Sequence, residues 1–194
     1  MKKNHGQLTG IVSPLLTSIR MKKISKIVQG GDILDYGCDY GKLSEELSFE
    51  TYTGVDLDPT VIAYAKERNY GLKNVNFYTI EEFESIQVQY DYIILLAVIE
   101  HFKDPITILK ILKNRLKYQG KIVITTPTHL GNNFLTYGSK VGIVSRSAFE
   151  EHNQIFSKND FIDIAKILDL NVIEYSTFEC GMNQLVVLSH DKYF

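Results

Sequence analysis

The residue types best able to do chemistry gather in one short stretch, Asp35-Tyr36-Gly37-Cys38-Asp39-Tyr40-Gly41, and at one later position, Asp56. Gly37 and Gly41 suit a tight turn where backbone must come close to a ligand. A helix that follows such a turn presents free amides and a positive dipole end. An acidic residue at the tip of the next strand is the natural acceptor for a ribose diol. Asp56 stands 21 positions after Asp35, the right distance for that role. Together they point to a nucleoside-containing ligand. The dinucleotide fingerprint G-x-G-x-x-G fails here, because Asp39 and Lys42 replace its second and third glycines. A phosphate loop fails too, since Leu43 follows Gly41-Lys42 where the hydroxyl residue belongs. Asp35 suits an ammonium group better than a phosphate. S-adenosylmethionine offers an ammonium, a sulfonium and a ribose diol, which would suit Asp35 and Asp56. The plainer reading is that each carboxylate caps the helix that follows it.

These residues need elements to hold them. Ser13-Pro14 starts a helix, continued by Leu15, Leu16, Ile19, Ile24 and Ile27 and stopped by Gly30-Gly31. Strands are expected at Asp32 to Tyr36, Thr51 to Asp56, Val75 to Tyr78, Tyr92 to Leu96 and Lys121 to Thr125. Helices are expected from Lys42, from Asp58-Pro59 to Arg68, and over Ile106, Leu109, Leu112 and Leu116. Strand-helix alternation implies a parallel sheet covered on both faces. After Thr128 the pattern turns irregular as far as Glu151. A helical stripe of Phe161, Ile164, Ala165 and Leu168 follows, then two strands, Val172 to Phe178 and Gln184 to Ser189, joined as a hairpin. The fold class is α/β: a Rossmann-like, doubly wound, mostly parallel seven-stranded sheet with a C-terminal antiparallel hairpin.

Five ordered motifs resemble those of class I SAM-dependent methyltransferases, in particular the small UbiE/UbiG-like group. Ile33 to Gly41 is similar to motif I, and Thr53-Gly54-Val55-Asp56-Leu57-Asp58-Pro59 to the second-strand motif. Tyr90 to Ile94 with Val98-Ile99-Glu100-His101-Phe102 resembles the fourth strand and its "LEH" turn. Leu116 to Lys121 resembles the "LKPGG" turn, and Glu151-His152, Phe156-Ser157 and Phe161 the approach to the last helix. The resemblance covers Ile33 to Leu188. It implies S-adenosylmethionine as cofactor and S-adenosylhomocysteine as product. The implied cofactor contacts are Asp35, Gly37, Cys38, Gly41, Asp56 and Leu57, then Thr79, Ile80 or Glu81 near adenine, and Ala97 and Val98 near the methionine moiety. Asp39 departs from the family's middle glycine, and Tyr118-Gln119-Gly120 from its "PGG" turn.

The implied reaction is an SN2 methyl transfer to a small-molecule O, N or C acceptor. An oxygen acceptor calls for a general base, and imidazole titrates in the right range. His101 is the first candidate and His152 the second; the plainer readings have Glu100 and His101 capping the next helix at the surface, and His152 as a surface residue. Cys38 reads as a packing residue whose amide faces the ligand. RNA or protein methylation, and SAM binding without turnover, are the alternatives. The 194 residues are expected to form a single domain. Residues 1–31 are read as a lid helix, and residues 128–151 as a substrate-side insertion.

The charge distribution bears on partners. Residues 1–31 carry six of the 21 basic residues and no acidic one, which leaves 15 basic against 23 acidic in the remainder. Lys22, Lys23 and Lys26 fit the solvated face of an amphipathic helix, so nucleic acid is not the expected partner. Cys38 and Cys180, the two cysteines, form no metal motif, and no metal is expected. The longest apolar run, Tyr92 to Ile99, is too short to span a bilayer. A cytoplasmic protein follows as the expectation.

Overall fold

The computed structural model describes residues 13–132 and 154–191, with side chains from Ile19 onward. The elements are α1 (Ser13–Ile27), β1 (Asp32–Tyr36), α2 (Leu43–Glu46), β2 (Thr51–Asp56), α3 (Pro59–Arg68), β3 (Val75–Thr79), α4 (Ile80–Glu84), β4 (Tyr90–Leu96), α5 (Pro105–Lys113), β5 (Leu116–Pro127), α6 (Lys158–Ile167), β6 (Asn171–Phe178) and β7 (Asn183–Ser189). A 3₁₀ turn, Ile99–His101, follows β4. The seven strands form one sheet in the order β3-β2-β1-β4-β5-β7-β6. β1 to β5 run parallel, and β7 inserts antiparallel between β5 and β6. Strand order reverses between β1 and β4, so a ligand crevice is expected above the carboxyl ends of those two strands.

Apolar residues cover both faces of the sheet. One layer gathers Leu34, Val55, Ile93, Leu95, Leu109 and Phe161. The other gathers Ile24, Ile33, Tyr52, Phe77, Ile94 and Val187. Helix starts are set by side-chain caps: Asp58 accepts from Thr60 N–H, Asp104 from Thr107 N–H, and Ser157 forms a capping box with Asp160. At the amino edge, Lys117 Nζ donates to Asp32 Oδ2 at 2.7 Å and to Asp91 Oδ2 at 2.8 Å. These bonds tie β1, β4 and β5 together.

Several expectations need correction. Helix α4 was not foreseen. Thr79 and Glu82 form a capping box that starts it directly at the end of β3. Leu116 belongs to β5, not to α5, because it pairs with Tyr90 before a register shift in β4. Helix α2, expected from Lys42, is only four residues long, so the positive dipole end expected of it is weak. Ile19 is exposed, while Ile24 and Val28 are buried. Lys22 and Lys26 are exposed as expected, but Lys23 is half-buried. Its Nζ donates to Ser176 Oγ at 2.9 Å and lies 5.4 Å from the Phe178 ring centroid. Lys2, Lys3, most of the insertion, Glu151 and His152 lie outside the described residues.

Candidate functional site

The turn after β1 is built by close approach. A Cβ on Gly37 would stand 2.4 Å from Val98 Cγ2, and one on Gly41 would stand 2.4 Å from Phe77 Cζ. Both glycines have positive φ, +86° and +72°. Gly37 therefore presses the β1 turn against the β4 turn, while Gly41 lets Phe77 in from β3. The turn amides are already used. Gly37 and Cys38 N–H both donate to Val55 O, at 2.7 and 3.0 Å, and Gly41 N–H donates to Cys38 O. The Cys38 amide thus does not face a ligand, contrary to expectation. Its thiol is pushed far up by burial and by Asp35, Asp56 and Asp39, and is protonated at neutral pH.

Asp56 is held at both ends. Asp39 N–H donates to Oδ2 and Asp58 N–H to Oδ1, each at 3.1 Å. Each carboxylate oxygen has a second acceptor position, so a vicinal diol finds two aligned acceptors. Leu57, next in sequence, is 73% exposed, an apolar surface beside that carboxylate. Thr79 pairs with Asp56 across β2 and β3, but its hydroxyl accepts from Glu82 N–H in the α4 cap. Glu81 is exposed on the first turn of α4, and Ile80 is half-buried.

Asp35 is 3% exposed. Tyr52 Oη donates to its Oδ2 at 2.5 Å, and its Oδ1 has no partner. Burial pushes its pKa up to about 7, opposed by the Tyr52 hydrogen bond and reinforced by the charges of Asp56 and Asp39. An unsatisfied buried acceptor of this kind fits a cationic donor such as an ammonium group.

Past β4, Ala97 takes φ +54° and donates its N–H to Thr125 O at 2.8 Å. The 3₁₀ turn then carries Glu100 and His101. His101 is half-buried. Glu100 is only 1% exposed, which rules out the surface capping role. Its Oε2 accepts from Thr126 Oγ1 at 2.9 Å, and its Oε1 has no partner. Burial raises its pKa, against the Thr126 hydrogen bond and the charges of His101 and Arg20.

Glu179, in the β6–β7 turn at φ +52°, is another residue the sequence did not single out. Its Oε2 accepts from Asn183 Nδ2, and its Oε1 is unpartnered. Burial raises its pKa, and the Arg20 charge lowers it. The "LEH" turn was a sequence signal for Glu100. The Glu179-Cys180-Gly181 turn was a weaker one, and Arg20 had none.

A methyltransferase-domain family matches residues 12–175, most of the chain. The chain belongs to that family. Among curated relatives, a ubiquinone biosynthesis O-methyltransferase of Rickettsia bellii is 35% identical over 101 residues, covering 49% of this chain and 41% of the relative. One from Coxiella burnetii is 30% identical over 130 residues, covering 63% and 54%. The chain thus spans about half the length of the curated relatives it matches. Among solved structures, the magnesium protoporphyrin IX methyltransferase of Synechocystis, with bound SAH, superposes with a TM-score of 0.65 at 14% identity, over 94% of this chain and 89% of that one. A SAM-dependent methyltransferase from Aquifex aeolicus gives 0.62 at 18% identity, over 87% and 88%. The family and fold implied by the sequence motifs are therefore those of this chain, and the cofactor of that fold is S-adenosylmethionine.

Proposed function

We propose that this chain transfers the methyl group of S-adenosylmethionine to a small-molecule acceptor. The carrying observation is Asp56, fixed by two backbone amides at the tip of β2, one strand from the strand-order reversal, with both oxygens able to accept a diol. The donor set fits the rest of the cofactor. Asp35 Oδ1 accepts from the ammonium, Leu57 offers an apolar surface to adenine, and the Gly37–Val98 contact shapes the methionine end. Of the residues expected near adenine, Thr79 is occupied as a helix cap, so Ile80 and Glu81 are the better contacts.

The bound cofactor supplies an activated sulfonium methyl. The chain's residues then need to hold the acceptor in line and exclude water. The acceptor reading favoured here is a hydroxyl, as the names of the ubiquinone O-methyltransferase relatives suggest. His101 takes the hydroxyl proton, and the buried Glu100 beside it stabilises the resulting imidazolium. His152 is the second candidate base.

Nucleic acid is not favoured: Lys23 is half-buried and engaged with Ser176 and Phe178. Calorimetry with S-adenosylmethionine tests the cofactor reading. Release of S-adenosylhomocysteine with a panel of phenols, catechols and amines tests turnover. Binding without release from any acceptor would favour a SAM-binding protein that does not turn over.

A further inference from the structure

We propose that Glu179 holds a protonated amine of the acceptor, which makes the substrate a hydroxylated amine rather than an uncharged phenol. This rests on the methyl-transfer reading above and names its acceptor class. Glu179 lies in the turn between β6 and β7, at the carboxyl edge of the sheet, and takes no part in the steps described above. It is 8% exposed. Asn183 Nδ2 donates to its Oε2 and fixes the carboxyl group, while Oε1 has no partner. A buried acceptor without a donor is costly, and a ligand that supplies the donor removes that cost.

The surroundings indicate which donor that is. Glu100 is fixed in the same way: Thr126 Oγ1 donates to its Oε2, and its buried Oε1 has no partner. Thr126 pairs with Gln184 and Pro127 with Asn183, so the two carboxyl groups are anchored on neighbouring rungs of the β5–β7 ladder. Thr125 Oγ1, one rung further down, is buried and unpartnered as well. Arg20 reaches this edge from α1, which docks through the buried Ile24 and the bond from Lys23 to Ser176 on β6. Arg20 stands three residues before Lys23 and so shares its helix face. Its charge acts on both carboxyl groups, and its Nε is buried without a partner.

Two carboxylates against one guanidinium leave a negative charge in a buried setting. His101, as the base, is uncharged until it takes the acceptor's proton. Burial raises the pKa of both carboxyl groups, and an ammonium ion beside them favours their ionised form. A buried charge is costly unless it is paired, so a cationic donor suits Glu179 Oε1 better than a neutral hydroxyl. An amine held there stays protonated and has no lone pair to offer. It therefore anchors the acceptor and is not itself methylated. The methyl group goes to the hydroxyl oxygen, and the hydroxyl proton to His101.

The test is calorimetry of three matched probes, tyramine, tyrosol and 4-ethylphenol, on the full chain with and without S-adenosylhomocysteine. They share a phenol and differ only in ending in an ammonium, a hydroxyl or a methyl group. Tyramine is expected to bind roughly tenfold more tightly than either of the others, the scale of one charge-assisted hydrogen bond. Glu179→Gln keeps the side-chain shape and an acceptor for Asn183. It should bring the three probes to within about twofold of one another, with S-adenosylhomocysteine affinity and the thermal midpoint near wild type. Equal binding of tyramine and 4-ethylphenol, tyrosol matching tyramine, no binding of any probe, or a preference that survives Glu179→Gln each overturns the proposal. If S-adenosylhomocysteine fails to bind while tyramine is still preferred, the cofactor reading falls and the amine site stands.

Discussion

The carboxyl edge of the sheet has two halves built in different ways. Over β1 and β2, backbone N–H groups close the turn: Gly37 and Cys38 donate to Val55 O, and Asp39 and Asp58 to the Asp56 carboxylate, with Asp35 Oδ1 left unpartnered beneath them. Over β4, β5 and β6, the edge is lined by buried side chains with unsatisfied atoms, Glu100 Oε1, Thr125 Oγ1 and Glu179 Oε1. Backbone geometry leaves the first half few degrees of freedom, as the proposed cofactor site requires. The second depends on longer side chains, which a different acceptor can recruit differently. A shared cofactor and a variable substrate would demand that division.

The largest expected effect strikes the seam between the halves. Gly37→Ala places a methyl group 2.4 Å from Val98 Cγ2 at φ +86°. Overpacking and backbone strain together should cost about 2–4 kcal/mol, read as a lower midpoint in urea denaturation. A wild-type midpoint would mean the seam is loose. Next, Asp56→Ala should weaken S-adenosylmethionine at least tenfold, about 1.4 kcal/mol, by calorimetry. Unchanged affinity would detach the first half from the ribose.

Glu100→Gln should sharpen the contrast. Turnover is expected to fall by roughly tenfold, less than the loss of a general base itself because Glu100 acts through His101, while S-adenosylmethionine affinity stays near wild type. If affinity falls with turnover, the two halves are one site.

The smallest effect is a pH dependence centred on Asp35, which faces Tyr52, Cys38, Asp39 and Asp56. Its folded pKa is raised to about 7 from an ordinary value of 3.8. The folded state therefore holds a proton that the unfolded chain has lost between those values. Its contribution to stability is full below about pH 4 and fades as pH rises through about 7. A cationic ligand favours the ionised form, so the stabilisation by S-adenosylmethionine in thermal melts should be larger at pH 8 than at pH 6. Asp35→Asn should flatten that difference. A flat profile in the wild-type chain would remove Asp35 from the ligand.

How much of this the sequence revealed follows the same division. The glycine turn and Asp56 are legible because their roles are local: glycine for positive φ, and an acid at a strand tip. The seven strands and the terminal hairpin follow from alternation, while the spatial order of the strands is set by tertiary packing. Glu100 was read as a surface cap because its burial depends on Thr126, on the next strand, and on Gln154, whose N–H reaches Glu100 O. Thr79 remained ambiguous until the α4 cap gave its hydroxyl a partner. Lys23 looked solvated because its partners, Ser176 and Phe178, lie about 150 positions away. Local chemistry is written in adjacent letters, whereas burial is decided by chain segments that meet only on folding.

The amino edge has its own consequence. Lys117 is clamped between Asp32 and Asp91; hydrogen bonds to both push its pKa up to about 12 and hold Asp32 below the usual carboxylate range. Asp91 also accepts from Asp32 N–H, and Thr51 Oγ1 donates to Asp32. The central strands are thus stitched at the end remote from the ligand crevice, like pages at a spine. Strand register is thereby fixed from the margin that carries none of the candidate site residues.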